Sequence, residues 1–166
     1  TDSLVGSEMC IRDRINTEIL ISTLQNVISV IDKSYSKPIL SNFMIKTLEN
    51  EGGQGMVEFS ATDYELSIIE RIPAEITTSG SICINAKRVF DIAREFQAKE
   101  TRILSTEQLW VHISCGASEL RLPSVEVGLY PQPNIEELKQ NLKISTVDLA
   151  QCIDCLLYTS DAADEE

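Results

Sequence analysis

Long apolar runs are missing from this 166-residue chain. None approaches the ~18 residues that a membrane-spanning helix needs. The first residues also lack the basic region and apolar stretch of a secretory signal, so the sequence predicts no membrane partner and a cytoplasmic location. Positive charge is scarce too: 14 Lys and Arg stand against 26 Asp and Glu, a formal net charge of -12. That balance excludes a protein whose whole surface attracts nucleic acid, though not a local basic strip. Five cysteines, an odd number without framework spacing, exclude a disulfide scaffold and fit a reducing compartment. The sole histidine, His112, lies beside Trp110 in an alternating stretch, with no nearby pair of carboxylates or cysteines, and is expected at the surface rather than on a metal. No cofactor is expected.

What is present is 43% hydrophobic residues with 24% charged ones, the composition of a globular protein long enough for one domain and a fragment of another. The two ends read differently from the middle. Back-translating Glu8-Met9-Cys10-Ile11-Arg12-Asp13 as GAG ATG TGT ATA AGA GAC, with the next codon starting in A, gives an opposite strand that reads TGT CTC TTA TAC ACA TCT. That strand encodes Cys-Leu-Leu-Tyr-Thr-Ser, which is Cys155 to Ser160 of the same chain. Two ends of a protein have no physical reason to encode each other, whereas a DNA tag ligated to both ends of a fragment does so automatically. The pair resembles the inverted ends of a transposase-based sequencing adapter, so residues 1–14 and 155–166 are expected to be assembly scars. They carry seven of the 26 acids and two of the 14 bases, leaving a net charge of -7 for the rest.

From Ile15 the pattern becomes regular. Thr17 can cap a helix whose apolar residues Leu20, Leu24, Val27, Ile28 and Ile31 recur at helical spacing. After Ser36-Lys37-Pro38 come strand-like stretches at 39–47, 54–61 and 65–72, and Gly52-Gly53 reads as a hairpin tip rather than a phosphate loop, since it lacks the lysine and following helix. The order then repeats: a strand at 81–85, a helix at 86–96 capped by Asn85, and strands at 101–105, 109–115 and 119–123. In the second of these, Leu109, Val111, Ile113 and Cys115 alternate with Trp110, His112 and Ser114. Further on, placing Ile144 on Ile15 aligns Thr146 with Thr17, Leu149 with Leu20 and Ile153 with Leu24, as if a second copy began 129 residues later.

The stretches Lys37-Pro38-Ile39-Leu40-Ser41-Asn42, Ser60-Ala61-Thr62-Asp63-Tyr64-Glu65, Asn85-Ala86-Lys87-Arg88-Val89-Phe90-Asp91-Ile92 and Leu120-Arg121-Leu122-Pro123, with Tyr130-Pro131, resemble in order the bacterial DNA polymerase III beta subunit family, the sliding clamps. The resemblance implies an α+β fold of the DNA-clamp (processivity) type, with the duplicated strand-helix-three-strand unit, helices on the inner face and sheets outside. It implies residues 15–133 as the first clamp domain, 134–141 as a linker and 142–154 as the start of a second. The function implied is non-catalytic: a ring-shaped homodimer that encircles double-stranded DNA without sequence readout. The polymerase and clamp loader would bind through domains that this chain lacks. By the same resemblance Lys33, Ser34, Lys37 and Lys87 are DNA-facing, Ser34 standing where an arginine is frequent. Arg88, Leu120 and Leu122 match the face that meets the second clamp subunit, where Ala117 and Glu119 replace the usual bases.

Other readings start from single residues. Leu120 and Leu122 also suit the core side of an alternating strand. Cys152 and Cys155 have the spacing of a thiol redox pair, which makes a small thiol oxidoreductase one alternative, and a protein-interaction domain without DNA is another. Cys83 and Cys115 suit a core, and Asp63 with Glu65 suits a turn followed by a solvated face better than acid-base work. Since Cys10 to Arg14 stand where the first strand belongs, an exposed sheet edge is expected there.

Overall fold

The computed structural model describes residues 12–31, 37–48, 55–106, 109–132 and 143–161. The chain falls into two units, 1–133 and 134–166.

The first unit starts with β1 (Arg12–Asn16), α1 (Thr17–Val30), a 3-10 turn (Pro38–Ser41), β2 (Asn42–Leu48), β3 (Met56–Thr62) and β4 (Ser67–Thr78). It continues with β5 (Ser81–Asn85), α2 (Ala86–Ala93), β6 (Glu100–Thr106), β7 (Trp110–Cys115), β8 (Ser118–Val125) and a 3-10 turn (Val127–Leu129). Strand, helix and three strands therefore occur twice. Antiparallel pairing closes the strands into a barrel in the order β1-β4-β3-β2-β5-β8-β7-β6. Each repeat runs first, fourth, third, second, and the two junctions between repeats, β2 with β5 and β6 with β1, are equivalent. The barrel has a pseudo-two-fold relation.

The same local chemistry starts both helices. Asn16 keeps an extended backbone and its Oδ1 accepts from the amides of Glu18 (3.0 Å) and Ile19 (3.2 Å), while Asn85 Oδ1 accepts from the amide of Arg88 (3.0 Å). The expected cap, Thr17, is instead the first helical residue, and its buried hydroxyl lies 2.9 Å from Thr101 Oγ1. Helix α2 stops at Ala93 rather than 96, because the amides of Glu95 and Phe96 turn back to the carbonyls of Ile92 and Ala93 in tighter, three-residue bonds.

Two prolines mark where strands change partners. Strand β4 pairs with β3 through Pro73, opposite Met56, and from Ala74 onward with β1. Strand β8 pairs with β7 through Pro123, opposite Trp110, and at Ser124 and Val125 with β5. A proline has no amide to donate, so it fits at a handover and not inside a two-sided ladder. The other edges of Ser67–Pro73 and Ser118–Pro123 have no strand partner among the described residues. The strand expected at 65–72 thus continues to Thr78, and the strand expected from 39 begins only at Asn42, after the 3-10 turn.

The expected open edge at the first strand is absent. Strand β1 forms from Arg12 and pairs on both sides, Ile15 with Ala74 of β4 and with Thr101 of β6.

The core joins both repeats: Leu20, Leu24 and Val27 of α1, Val89 and Ala93 of α2, and strand residues that include Phe43 and Phe59, whose rings stack with centroids 5.9 Å apart. Helices α1 and α2 pack on each other, α1 also on β3 and β4, and α2 on β2 and β5. In the second unit, α3 (Thr146–Asp161) carries Leu149, Ile153 and Leu156, all exposed, at the stations of Leu20, Leu24 and Val27 in α1, which are buried.

Candidate functional site

Basic residues gather where β2 begins and β5 ends. The register sets Asn42 opposite Asn85, and Asn85 Nδ2 donates to Ser41 Oγ at 3.2 Å. This clips the turn that follows Lys37 to the start of the helix that carries Lys87 and Arg88. Asn42 holds the turn from inside, its Nδ2 donating to the carbonyls of Pro38 (3.2 Å) and Ile39 (2.9 Å). Lys37, Lys87 and Arg88 are exposed.

Their charges are not consumed locally. Arg94 takes Asp91 at 3.8 Å, and among the described residues Lys87 and Arg88 form no ion pair. They occupy the first turn of α2, where the helix dipole disfavours a cation, so their placement favours an anion from outside the fold. Lys37 Nζ lies 4.3 Å from the centre of the Tyr64 ring. That contact orients the ammonium without neutralising it.

Tyr64 is held for this contact by a tight turn. Its φ is +81°, unusual for a residue other than glycine. Asp63 Oδ1 accepts from the amides of Glu65 (3.0 Å) and Leu66 (2.6 Å), and Thr62 Oγ1 accepts from the amide of Tyr64 (3.1 Å). Asp63 is thus a turn residue. In the sequence Tyr64 is only one residue of the matching stretch 60–65, and its contact with Lys37 carries no sequence signal, because only the turn geometry brings the two together. Lys33 and Ser34 lie outside the described residues, as do Gly52 and Gly53.

The residues matched to a subunit interface separate. Arg88 is on the exposed side of α2. Leu122 is buried in the main core opposite Val111, and Leu120 packs against that core opposite Ile113. Strand alternation sends Glu119, Arg121 and Pro123 outward instead, so the core reading describes where the two leucine side chains lie. What β8 leaves available is the backbone edge of Ser118–Pro123.

The remaining chemical candidates are occupied or plain. Cys83 is fully buried, which pushes its thiol up to about 12, far from a thiolate nucleophile. Cys115 is buried with Sγ 3.5 Å from the Ala98 carbonyl. Tyr130 is pushed up to about 12, chiefly by burial, and its hydroxyl accepts from the amide of Thr62 at 3.3 Å. His112 is exposed beside the stack of Arg121 on Trp110, 4.2 Å from the ring centre. Cys152 and Cys155 are exposed on α3 as free thiols, and no cluster able to hold a metal occurs among the described residues. No described helix is long and apolar enough to cross a membrane.

Comparison with known proteins adds sequence and fold. The family described as DNA polymerase III beta subunit, N-terminal domain, matches residues 12–136. A beta sliding clamp of Caulobacter vibrioides is 29% identical over 137 residues, 81% of this chain and 36% of its own length. One from Staphylococcus epidermidis is 29% identical over 125 residues, covering 70% of this chain and 32% of its own. A crystal structure of the C. crescentus beta sliding clamp superposes with a TM-score of 0.79 at 26% identity, over 89% of this chain and 39% of that one. The chain spans between 32% and 39% of the length of these relatives.

Proposed function

Starting from the fact that the chain belongs to the DNA polymerase III beta subunit family through its N-terminal domain, we propose that it is part of a ring-shaped clamp that encircles duplex DNA and tethers the replicative polymerase. In this reading it is a non-catalytic processivity factor working in the cytoplasm as a homodimer of longer subunits. A closed ring turns each polymerase dissociation into a local event at high effective concentration, so rebinding precedes escape. DNA is held by topology and by weak phosphate contacts, without base readout.

The observation that carries the proposal is the pair of open half-edges, Ser67–Pro73 and Ser118–Pro123, at equivalent places in the two repeats. A unit with an edge on each side can continue its sheets into neighbours head to tail, which builds a ring with sheets outside and helices inside. The subunit contact then uses the β8 edge flanked by Arg88, with Leu120 and Leu122 supporting that strand from the core. Lys37 and Lys87, with Lys33 and Ser34, are proposed to face DNA.

The partition of the chain is part of the same proposal. Residues 15–133 are the first clamp domain, 134–141 a linker, and 142–154 the opening of a second, whose sheet would cover Leu149 and Ile153. Residues 1–14 and 155–166 are proposed to be scars, which removes Cys155 and with it the thiol redox pair.

The test uses the uninterrupted reading frame from the source locus, expressed with its loader and placed on nicked circular DNA. Retention on the circle and loss after linearisation is the expected result. Equal retention on both forms, or none on either, overturns the clamp reading.

A further inference from the structure

Tyr64 is 57% exposed in the turn between β3 and β4, and its ring belongs to neither apolar cluster of the fold. The turn nevertheless holds it firmly. The amide of Tyr64 and those of Glu65 and Leu66 donate to Thr62 Oγ1 and Asp63 Oδ1, and Thr62 Oγ1 donates to the Leu66 carbonyl at 3.0 Å. These bonds keep Tyr64 at φ +81°, where a residue with a Cβ is uncommon. One face of the ring meets Lys37 Nζ at 4.3 Å, and among the described residues the ring has no other cationic or aromatic neighbour.

The turn stands at the barrel end where the cations gather. Met44 pairs with Ser60 of β3 and with Cys83 of β5, two residues before Thr62 and Asn85, so the ends of both strands flank the start of β2. Lys87 follows Asn85, and Lys37 precedes the 3-10 turn that leads into β2. Neither forms an ion pair among the described residues. The Asp63 carboxylate is turned inward onto two amides, while Glu65 is exposed.

An exposed aromatic face beside ammonium groups suits the two parts of an unpaired nucleotide, a base that stacks and a phosphate that carries charge. An intact duplex has no base face to offer, since each base is already stacked on its neighbours. A single strand or a strand junction has one. We propose that Tyr64 is a stacking platform for an unpaired DNA base, with Lys37 and Lys87 on the flanking phosphates. The inference rests on the reading that this end of the barrel faces DNA, and it adds a preference for unpaired strands that sliding on a duplex does not require.

Fluorescence titration of the full chain at low salt tests this, with a single-stranded oligonucleotide carrying 2-aminopurine and with its duplex as probes. The single strand is expected to bind more tightly, with its emission quenched. Tyr64→Phe keeps the ring and is expected to bind like the native chain. Tyr64→Gly removes the ring at a backbone angle that suits glycine, and is expected to lower single-strand affinity about 5- to 150-fold without changing its salt dependence. Lys37→Gln is expected instead to lower the slope of log affinity against log salt by about 0.7. Equal affinity for single strand and duplex, or binding of neither, overturns the platform. So does an unchanged affinity of Tyr64→Gly, the result expected if the ring serves a protein partner. Retention on circular DNA is read separately: a longer protein that leaves the circle, beside a chain with the Tyr64-dependent preference, overturns the clamp and not the platform.

Discussion

Asp13 and Ile82 occupy the same station of the two repeats, on strands β1 and β5 that each end in a helix-capping asparagine. One strand brings hydrocarbon to the core and the other an acid with no partner.

Global stability is therefore expected to depend on pH through Asp13. Its carboxyl titrates near 7 in the folded chain and near 3.8 when unfolded, so the unfolded state gives up its proton first. Stability falls as pH rises from about 4 to about 7, by up to about 1.4 kcal/mol per pH unit, and is flat beyond. Asp13→Ile removes that loss. Denaturant melts at pH 5 and pH 8 check it: the gain from the substitution is larger at pH 8.

The capping asparagines are expected to be worth similar amounts. Asn16→Ala and Asn85→Ala each lower stability by about 1 kcal/mol, with the larger loss at Asn85, which also holds Ser41. Urea titration of the two single variants and the double variant measures this. Additivity is expected for caps on separate helices.

Leu122→Ala distinguishes a core side chain from one that serves only a partner. With Leu122 opposite Val111 in the core, the substitution is expected to cost about 2–4 kcal/mol in the isolated chain, before any subunit contact is made. An unchanged melting curve would return the residue to the interface.

Gly55→Ala tests a close approach. A Cβ at this position would lie 2.7 Å from the Ala74 carbonyl oxygen and 2.7 Å from Ile76 Cγ1, and the Gly55 carbonyl accepts the Ala74 amide at 3.0 Å. A loss of about 1–3 kcal/mol is expected in a thermal or denaturant melt.

Neutralising Lys37, Lys87 or Arg88 is expected to leave folding within about 0.5 kcal/mol, since they are exposed and without ion pairs. In the proposed clamp on DNA, neutralising Lys37 or Lys87 is expected to lower the slope of log affinity against log salt by about 1, and neutralising Arg88, at the proposed subunit contact, to leave it unchanged. Titrations at several salt concentrations read both quantities.

The element order was legible because each repeat carries its own local signals. The stretch around Val111, Ile113 and Cys115 alternates, since one side meets the core and the other does not, and Asn85 announces α2. The cap of α1 was misplaced by one residue because Asn16 and Thr17 are both good caps, and only the buried bond to Thr101, a residue of the other repeat, decides between them. The same limit applies to the site. Lys37 and Lys87 could be named from resemblance, but their meeting at one end of a strand pair depends on the Asn42–Asn85 register. The continuation of β4 beyond 72 was not legible because its partners after Pro73 lie on β1, far away in sequence.

The two handover prolines give the barrel a valence. Each strand that crosses from one partner to another spends half its length inside the closed circuit and leaves the other half free, so a barrel complete in itself still has two hands. A body with two hands at fixed angles either grows without end or returns to its start, and the angle between them decides the number of members in the circle. In the proposed ring, the number of members would therefore be set by the fold of one domain.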